Sequence, residues 1–165
     1  MEITQNCLYE TFSYKKEGFL VWSVNKAPKK IGDVAGTIQT NKNGKKYKKI
    51  TLNRKCYLEH RLIFLFHHGY LPEQIDHIDG NGLNNKIENL REATSKQNAR
   101  NRKIPSNNKS GHTGVCWDKK TKKWFSYIRV DGFSKTLGRF VNIEDAIQTR
   151  KKFESIYFGD YVRKT

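Results

Sequence analysis

The sequence predicts an α+β protein made of two small units. Three observations carry this. Short apolar runs are separated by turn signals, which is the pattern of strands and hairpins. Two segments, 59–68 and 142–157, instead repeat apolar residues at helical spacing. Between the units lies "IPSNNKSGHTG" (104–114), whose Pro, Ser, Asn and Gly mark a linker. We therefore divide the chain into a first domain at 1–104, a linker at 105–112 and a second domain at 113–165.

The elements follow in order. "FLVWSV" is a continuous apolar strand, and "GDVAGTI" and "YKKITL" read as two more. The separator "QTNKNGKK" carries Asn43-Gly44, a strong hairpin signal. In "EHRLIFLFHHGYLP" the apolar residues Leu62, Ile63, Leu65 and Phe66 fall near helical spacing, and Gly69 and Pro72 end the run. A half-buried helix is expected over 59–68. Residues 75–78 form a short strand, 79–85 a turn-rich loop, and "IENLREA" the returning strand. Thr94 and Gln97 match a capping box, so a helix is expected over 95–103. Beyond the linker, "TGVCWD", "KWFSYIRV" and "FSKTLGRF" are three strands, with Asp131-Gly132 as a hairpin turn. Asn142 is the expected cap of a last helix. Its stripe is Ile143, Ala146, Ile147, Phe153, Ile156 and Tyr157.

Charge narrows the function. The chain has 165 residues and 32 Lys+Arg against 16 Asp+Glu, a formal net charge of +16. The excess is spread: residues 26–55 hold ten Lys/Arg against one acid, and residues 91–123 hold ten against two. An extended polyanion partner fits this, because each cation set on a phosphate releases a condensed counterion. The aromatic content, 12%, argues against a disordered chain. Cys7, Cys56 and Cys116 are distant and odd in number. No C-x-x-C pair supports a thiolate zinc site, a disulfide framework is not expected, and free thiols suit a reducing cytosol. No signal peptide or membrane span is read.

The chemistry concentrates in "IDHIDGNGLNNKIENLREATSKQNARN" (75–101). Asp76 and His77 are expected near a strand end, with Asn98 pointing from the following helix toward them. A carboxylate and an amide oxygen are hard ligands suited to Mg²⁺ or Mn²⁺. His77 beside them can take a proton from water near neutral pH. A metal, a base and a basic surface make a phosphodiesterase. Asn81, Asn84 and Asn85 read as turn formers. His60, His67 and His68 read as surface or packing groups of the helix, with a place near the site kept as the lesser reading for His60. Asp79 is close enough to be a second acid. Arg61 and Arg91 either touch phosphate or brace carboxylates.

Residues 60–101 resemble the HNH (ββα-metal) nuclease motif in the form found in phage homing endonucleases. The resemblance rests on Asp76-His77, Asn84-Asn85, "NLR" at 89–91 and "QNARN" at 97–101. It implies that Asp76 binds the metal, that His77 is the general base, and that Asn89 orients the loop bearing the His. It implies that Asn98 completes the metal site. Asn instead of His at that last position is a variant of the family and favours Mg²⁺ over structural zinc.

The second domain resembles the ethylene-response-factor (APETALA-type) DNA-binding domain, on "GV.W" at 114–117, "KW" at 123–124, "LGRF" at 137–140 and "EDA" before the helix. The resemblance implies a sheet laid in the DNA major groove. Alternation then puts Cys116, Tyr127 and Arg129 on the DNA face, with Lys119, Lys120, Lys122 and Lys123 on phosphate. Arg100 and Arg102 in the preceding segment are also assigned to DNA. Cys116 and Asp118 stand where the plant domains carry Arg, so their base specificity does not transfer.

The expectation is a homing-type DNA endonuclease using one Mg²⁺ or Mn²⁺ per chain and no small-molecule cofactor. It would act on double-stranded DNA as a monomer, in the cytoplasm of a phage-infected host. A DNA-binding regulator with an inactive nuclease core is the competing reading, and the sheet aromatics Phe125 and Tyr127 leave an RNA-binding reading open.

Overall fold

The computed structural model describes residues 3–101, 104 and 107–162, and two compact units, 1–98 and 99–165. The division falls inside a helix, ahead of the Pro- and Asn-rich stretch.

In the first unit, α1 (Gln5–Thr11) leads into the antiparallel pair β1 (Phe12–Lys15) and β2 (Phe19–Trp22). A second sheet has the order β3 (Thr37–Thr40), β4 (Lys46–Leu52), β5 (Lys55–Leu58). The predicted Asn43-Gly44 turn joins β3 to β4, where Asn41 Oδ1 accepts from the Asn43 and Lys45 amides at 3.0 and 2.9 Å. The expected strand over 32–38 is mostly loop. Gly36 adopts φ +82°, and a Cβ there would stand 2.5 Å from the Lys49 carbonyl oxygen, so the chain cannot run straight through it.

The helix read over 59–68 is α2 (Glu59–His68), ended by Gly69 in the left-handed region with its amide on the Leu65 carbonyl at 2.9 Å. It buries Leu62, Ile63, Phe64 and Leu65 against Leu8, Phe12, Leu20, Trp22, Ile50, Ile75 and Leu90. Each such side chain contributes about 1.5–3 kcal/mol on burial. One core thus joins the N-terminal strands to the elements that carry Asp76 and His77.

Those elements are β6 (Gln74–His77) and β7 (Leu90–Ala93), antiparallel, with a 3-10 turn over Ile87–Asn89. The capping box forms: the Thr94 amide donates to Gln97 Oε1 at 2.7 Å and the Gln97 amide to Thr94 Oγ1 at 3.3 Å. The helix it starts, α3 (Ser95–Arg100), gives way to a turn at Asn101, short of the expected 95–103. Arg102 and Lys103 lie outside the described residues.

The second unit is an antiparallel sheet in the order β10 (Phe133–Phe140), β9 (Lys123–Val130), β8 (Val115–Asp118), with α4 (Ile143–Phe158) on one face. Val115, Ser126, Ile128 and Ala146 are its buried centre. Buried Arg150 ties helix to sheet through the Tyr127 carbonyl at 2.8 Å. Two expectations change. Asn142 is at the N-cap, but its side chain makes no capping bond. The apolar stripe is covered only in part: Ile156 is 63% exposed. Tyr157 instead meets Lys135, whose Nζ lies 2.9 Å from its hydroxyl.

Candidate active site

Strand pairing sets Asp76 opposite Arg91 and His77 opposite Leu90. Asp76 is 5% exposed, and its Oδ2 accepts from Arg91 Nε at 3.0 Å and Nη2 at 2.7 Å. A buried carboxylate needs such a partner to offset its lost hydration. Of the two readings of the arginines, Arg91 therefore braces a carboxylate. Arg61 braces no carboxylate among the described residues: it donates to the backbone carbonyls of Pro72 and Glu73 at 3.2 and 3.3 Å and ties α2 to the approach to β6.

Asn89 holds the loop that follows His77. Its Oδ1 accepts from the Asp79 amide at 3.1 Å, and its Nδ2 donates to Asp79 Oδ1 at 3.0 Å and to the Asn84 carbonyl at 2.7 Å. Asn81 and Asn84 act as turn formers: Asn81 Oδ1 accepts from the Leu83 amide, and Asn84 Nδ2 donates to Asp79 Oδ2. Burial pushes the Asp79 carboxyl up, but bonds from Asn84, the Asn81 amide and Asn89 outweigh it and hold it below the usual range. Asp79 is thus spent on the loop.

Asn85 departs from the expectation for a turn former. It is 1% exposed, its Oδ1 sits 2.9 Å from His77 Nε2, and its Nδ2 donates to Glu59 Oε2 at 2.9 Å. Glu59 is buried as well, and its Oε1 accepts from the Leu20 amide and from Lys48 Nζ, each at 3.1 Å. The His60 and His77 rings lie edge to face at 4.9 Å, with Tyr47 6.0 and 6.3 Å away. Burial, then the His77 and Arg61 charges, push His60 down to about 3. Burial also lowers His77, against the opposing pull of Asn85, Asp79 and Asp76. Both rings are therefore neutral at pH 7, the form in which His77 can accept a proton.

Asn98 lies in the first turn of α3. Its Nδ2 donates to Gln74 Oε1 at 3.2 Å, and Gln74 Nε2 donates to Ser95 Oγ at 2.5 Å. Gln74 and Asp76 alternate onto one face of β6. With its nitrogen committed, Asn98 keeps Oδ1 without a protein hydrogen bond among the described residues. Among those residues no group of three or more His, Cys, Asp or Glu could hold a metal. The carboxylate of Asp76 and the amide oxygen of Asn98 are hard donors, a chemistry that suits Mg²⁺ or Mn²⁺ and not a soft, thiolate-bound ion.

Sequence reasoning missed Glu59, Asn85, Gln74 and Tyr47. Glu59 carried a faint signal as an acid opening a helix, which the dipole alone explains. Nothing local distinguished Asn85 from Asn84.

In the second unit, Lys119, Lys120 and Lys122 lie exposed in the β8–β9 turn and Lys123 opens β9. Asp118 shapes that turn, held down to about 2 by bonds from Thr121 and Arg139. The face away from α4 carries Cys116, Tyr127 and Arg129. Tyr127 is half-buried and stacks on Phe125 at 5.7 Å, and Arg129 Nε donates to the Gly132 carbonyl at 3.3 Å. The Arg100 guanidinium sits 4.2 Å from the Phe158 ring centroid. Cys7, Cys56 and Cys116 are free thiols. Among the described residues no helix is long and apolar enough to cross a membrane.

This segment, with His77 at a strand end and its loop locked by Asn89, matches a known family: residues 57–100 match the HNH endonuclease domain. More particularly, 58 residues are 45% identical to Protein 3.8 of Escherichia phage T7. The matched stretch is 35% of this chain and 48% of that protein, so the chain spans about half the length of the relative. No solved structure matches the chain significantly.

Proposed function

We propose that the chain is a homing-type DNA endonuclease that hydrolyses phosphodiester bonds with one divalent cation and His77 as general base. The observation that carries this is the buried, neutral His77 at the end of β6, its ring held by Asn85 and its loop by Asn89. His77 takes the proton of the attacking water, the water oxygen bonds to phosphorus, and the bond to the leaving oxygen breaks. Asp76 and Asn98 would hold Mg²⁺ or Mn²⁺, which when bound stabilises negative charge on the phosphate and the leaving oxygen. Arg91 pairs with Asp76, and Gln74 takes up the Asn98 amide nitrogen and leaves its oxygen for the ion. Asn89 acts in catalysis by fixing the loop. Lys119, Lys120, Lys122 and Lys123 would bind phosphates of double-stranded DNA, with Tyr127 and Arg129 on the exposed sheet face. One site per chain fits a monomer acting in the cytoplasm of an infected host, with its domains divided near residues 105–112. The test is His77→Ala on full-length protein with Mg²⁺ and duplex DNA. Cleavage should fall about 10²–10⁴-fold, the share of a general base, and DNA affinity should hold. Equal cleavage by the variant would refute the assignment.

A second reading, a DNA-binding regulator with an inactive nuclease core, is favoured by one observation: Arg91 already neutralises Asp76. Incubation with duplex DNA and Mg²⁺, with and without EDTA, separates the two. A regulator leaves the DNA intact in both.

A further inference from the structure

We propose that Glu59 and Asn85 are positioning residues that fix the tautomer of His77, with the proton on Nε2 and the lone pair on Nδ1. The bonds dictate it one after another. A carboxylate only accepts hydrogen bonds. Glu59 Oε1 is held by the Leu20 amide and Lys48 Nζ, so Oε2 is fixed in place 2.9 Å from the Asn85 amide nitrogen. That contact decides which way the Asn85 amide faces, since only its NH₂ end can donate to a carboxylate. The other end, Oδ1, is thereby turned to His77 Nε2 at 2.9 Å. A carbonyl oxygen only accepts, so Nε2 must carry the hydrogen. A neutral imidazole has one N–H, which makes Nδ1 the acceptor nitrogen.

Position as well as chemistry fits. Glu59, Asn85 and His77 are 1%, 1% and 7% exposed, so water cannot substitute freely for either amide contact. The opposite tautomer would set a lone pair against Oδ1, or rotate the amide and set Oδ1 against the Glu59 carboxylate. Both leave a buried polar atom facing a like charge. The inference that Nδ1 is the nitrogen that takes the proton from water rests on the nuclease reading. The tautomer assignment does not.

Glu59→Gln discriminates this from a purely structural role. The introduced side-chain amide can still accept from Leu20 and Lys48 through its oxygen, and then offers an NH₂ group to Asn85. The Asn85 amide must turn over and present Nδ2 to His77, which moves the ring proton to Nδ1. Adding Asn85→Asp restores a pure acceptor between position 59 and His77, and returns the proton to Nε2. The readout is the long-range ¹H–¹⁵N ring correlation of His77 in uniformly labelled full-length protein, assigned against His77→Gln. The expected result is Nε2–H in the unvaried protein, Nδ1–H in Glu59→Gln and Nε2–H again in the double variant. Cleavage should fall about 10²–10⁴-fold in the single variant and recover in large part in the double. Nδ1–H in the unvaried protein overturns the proposal outright, whether or not any variant folds. So does an unmoved proton in folded Glu59→Gln. If the proton moves as expected while no form of the protein cuts DNA, the relay stands and the nuclease reading fails.

Discussion

Acid should unfold the first unit early, and His60 should be a main cause. Its ring is 7% exposed, packed against His77 and Tyr47, and burial with the His77 and Arg61 charges lowers it from 6.5 to about 3. In the unfolded chain the same ring protonates near 6.5. Between those values the unfolded state binds a proton that the folded state refuses, so stability falls as pH falls. The loss begins near pH 6.5 and stops near pH 3. From pH 7 to pH 5 this one group should cost about 2 kcal/mol. His77 is shifted in the same direction and adds to the slope. The assay is denaturant unfolding at pH 7, 6 and 5 in a background where Trp117 and Trp124 are Phe. Buried Trp22 then alone reports on the first unit. His60→Gln in that background should flatten the pH dependence by about 2 kcal/mol over this range and leave a residual slope from His77. Parallel curves for the two proteins would show that His60 does not resist protonation, and the neutral-ring account of the site would fail with it.

Other perturbations probe the remaining parts. Arg91→Ala strands the buried Asp76 carboxylate and should cost about 3–5 kcal/mol in denaturant unfolding; a loss below about 1 kcal/mol, the range of exposed pairs, would mean the pair is water-exposed. Gly18, at φ +94°, sits where a Cβ would meet the Lys86 amide nitrogen at 2.4 Å. Gly18→Ala should therefore destabilise by about 1–3 kcal/mol and shift the His77 ring resonances, whereas unchanged resonances would mean the loop does not rest on the hairpin. Replacing Lys119, Lys120 and Lys122 by Ala should reduce the slope of log K against log[salt] for duplex binding by about 0.9 for each phosphate no longer neutralised. An unchanged slope would remove that turn from the DNA interface.

Periodicity and turn chemistry made much of this fold legible. The helix at Glu59–His68 announced itself through Leu62, Ile63 and Leu65, and the capping box at Thr94 and Gln97 forms as read. These are local rules, satisfied within a few residues. The site was legible only as far as its spacing went. Asn89 holds the loop with bonds that span 5 and 10 residues. Asn85 reaches across 26 residues to Glu59, and Glu59 across 39 to Leu20. Asn84 and Asn85 look alike in sequence, yet one closes a turn and the next points inward, and only the packed core decides which. The first eighteen residues gave no reading, although α1 and β1 supply Leu8 and Phe12 to that core. Their helix is a single short one with no acid in its first turn.

The segment that matches the nuclease family begins at residue 57, but its geometry does not begin there. A Cβ at Gly82 would run into Lys46 and Tyr47 of β4, and one at Gly18 into Lys86, so glycine lets the chain pass close at both places. The Tyr14 hydroxyl accepts the Ile87 amide at 3.1 Å. Grafting residues 57–100 onto another scaffold would carry over every residue of the motif and leave behind the walls that aim them. Engineering this domain therefore means moving the preceding fifty-odd residues as part of the same machine.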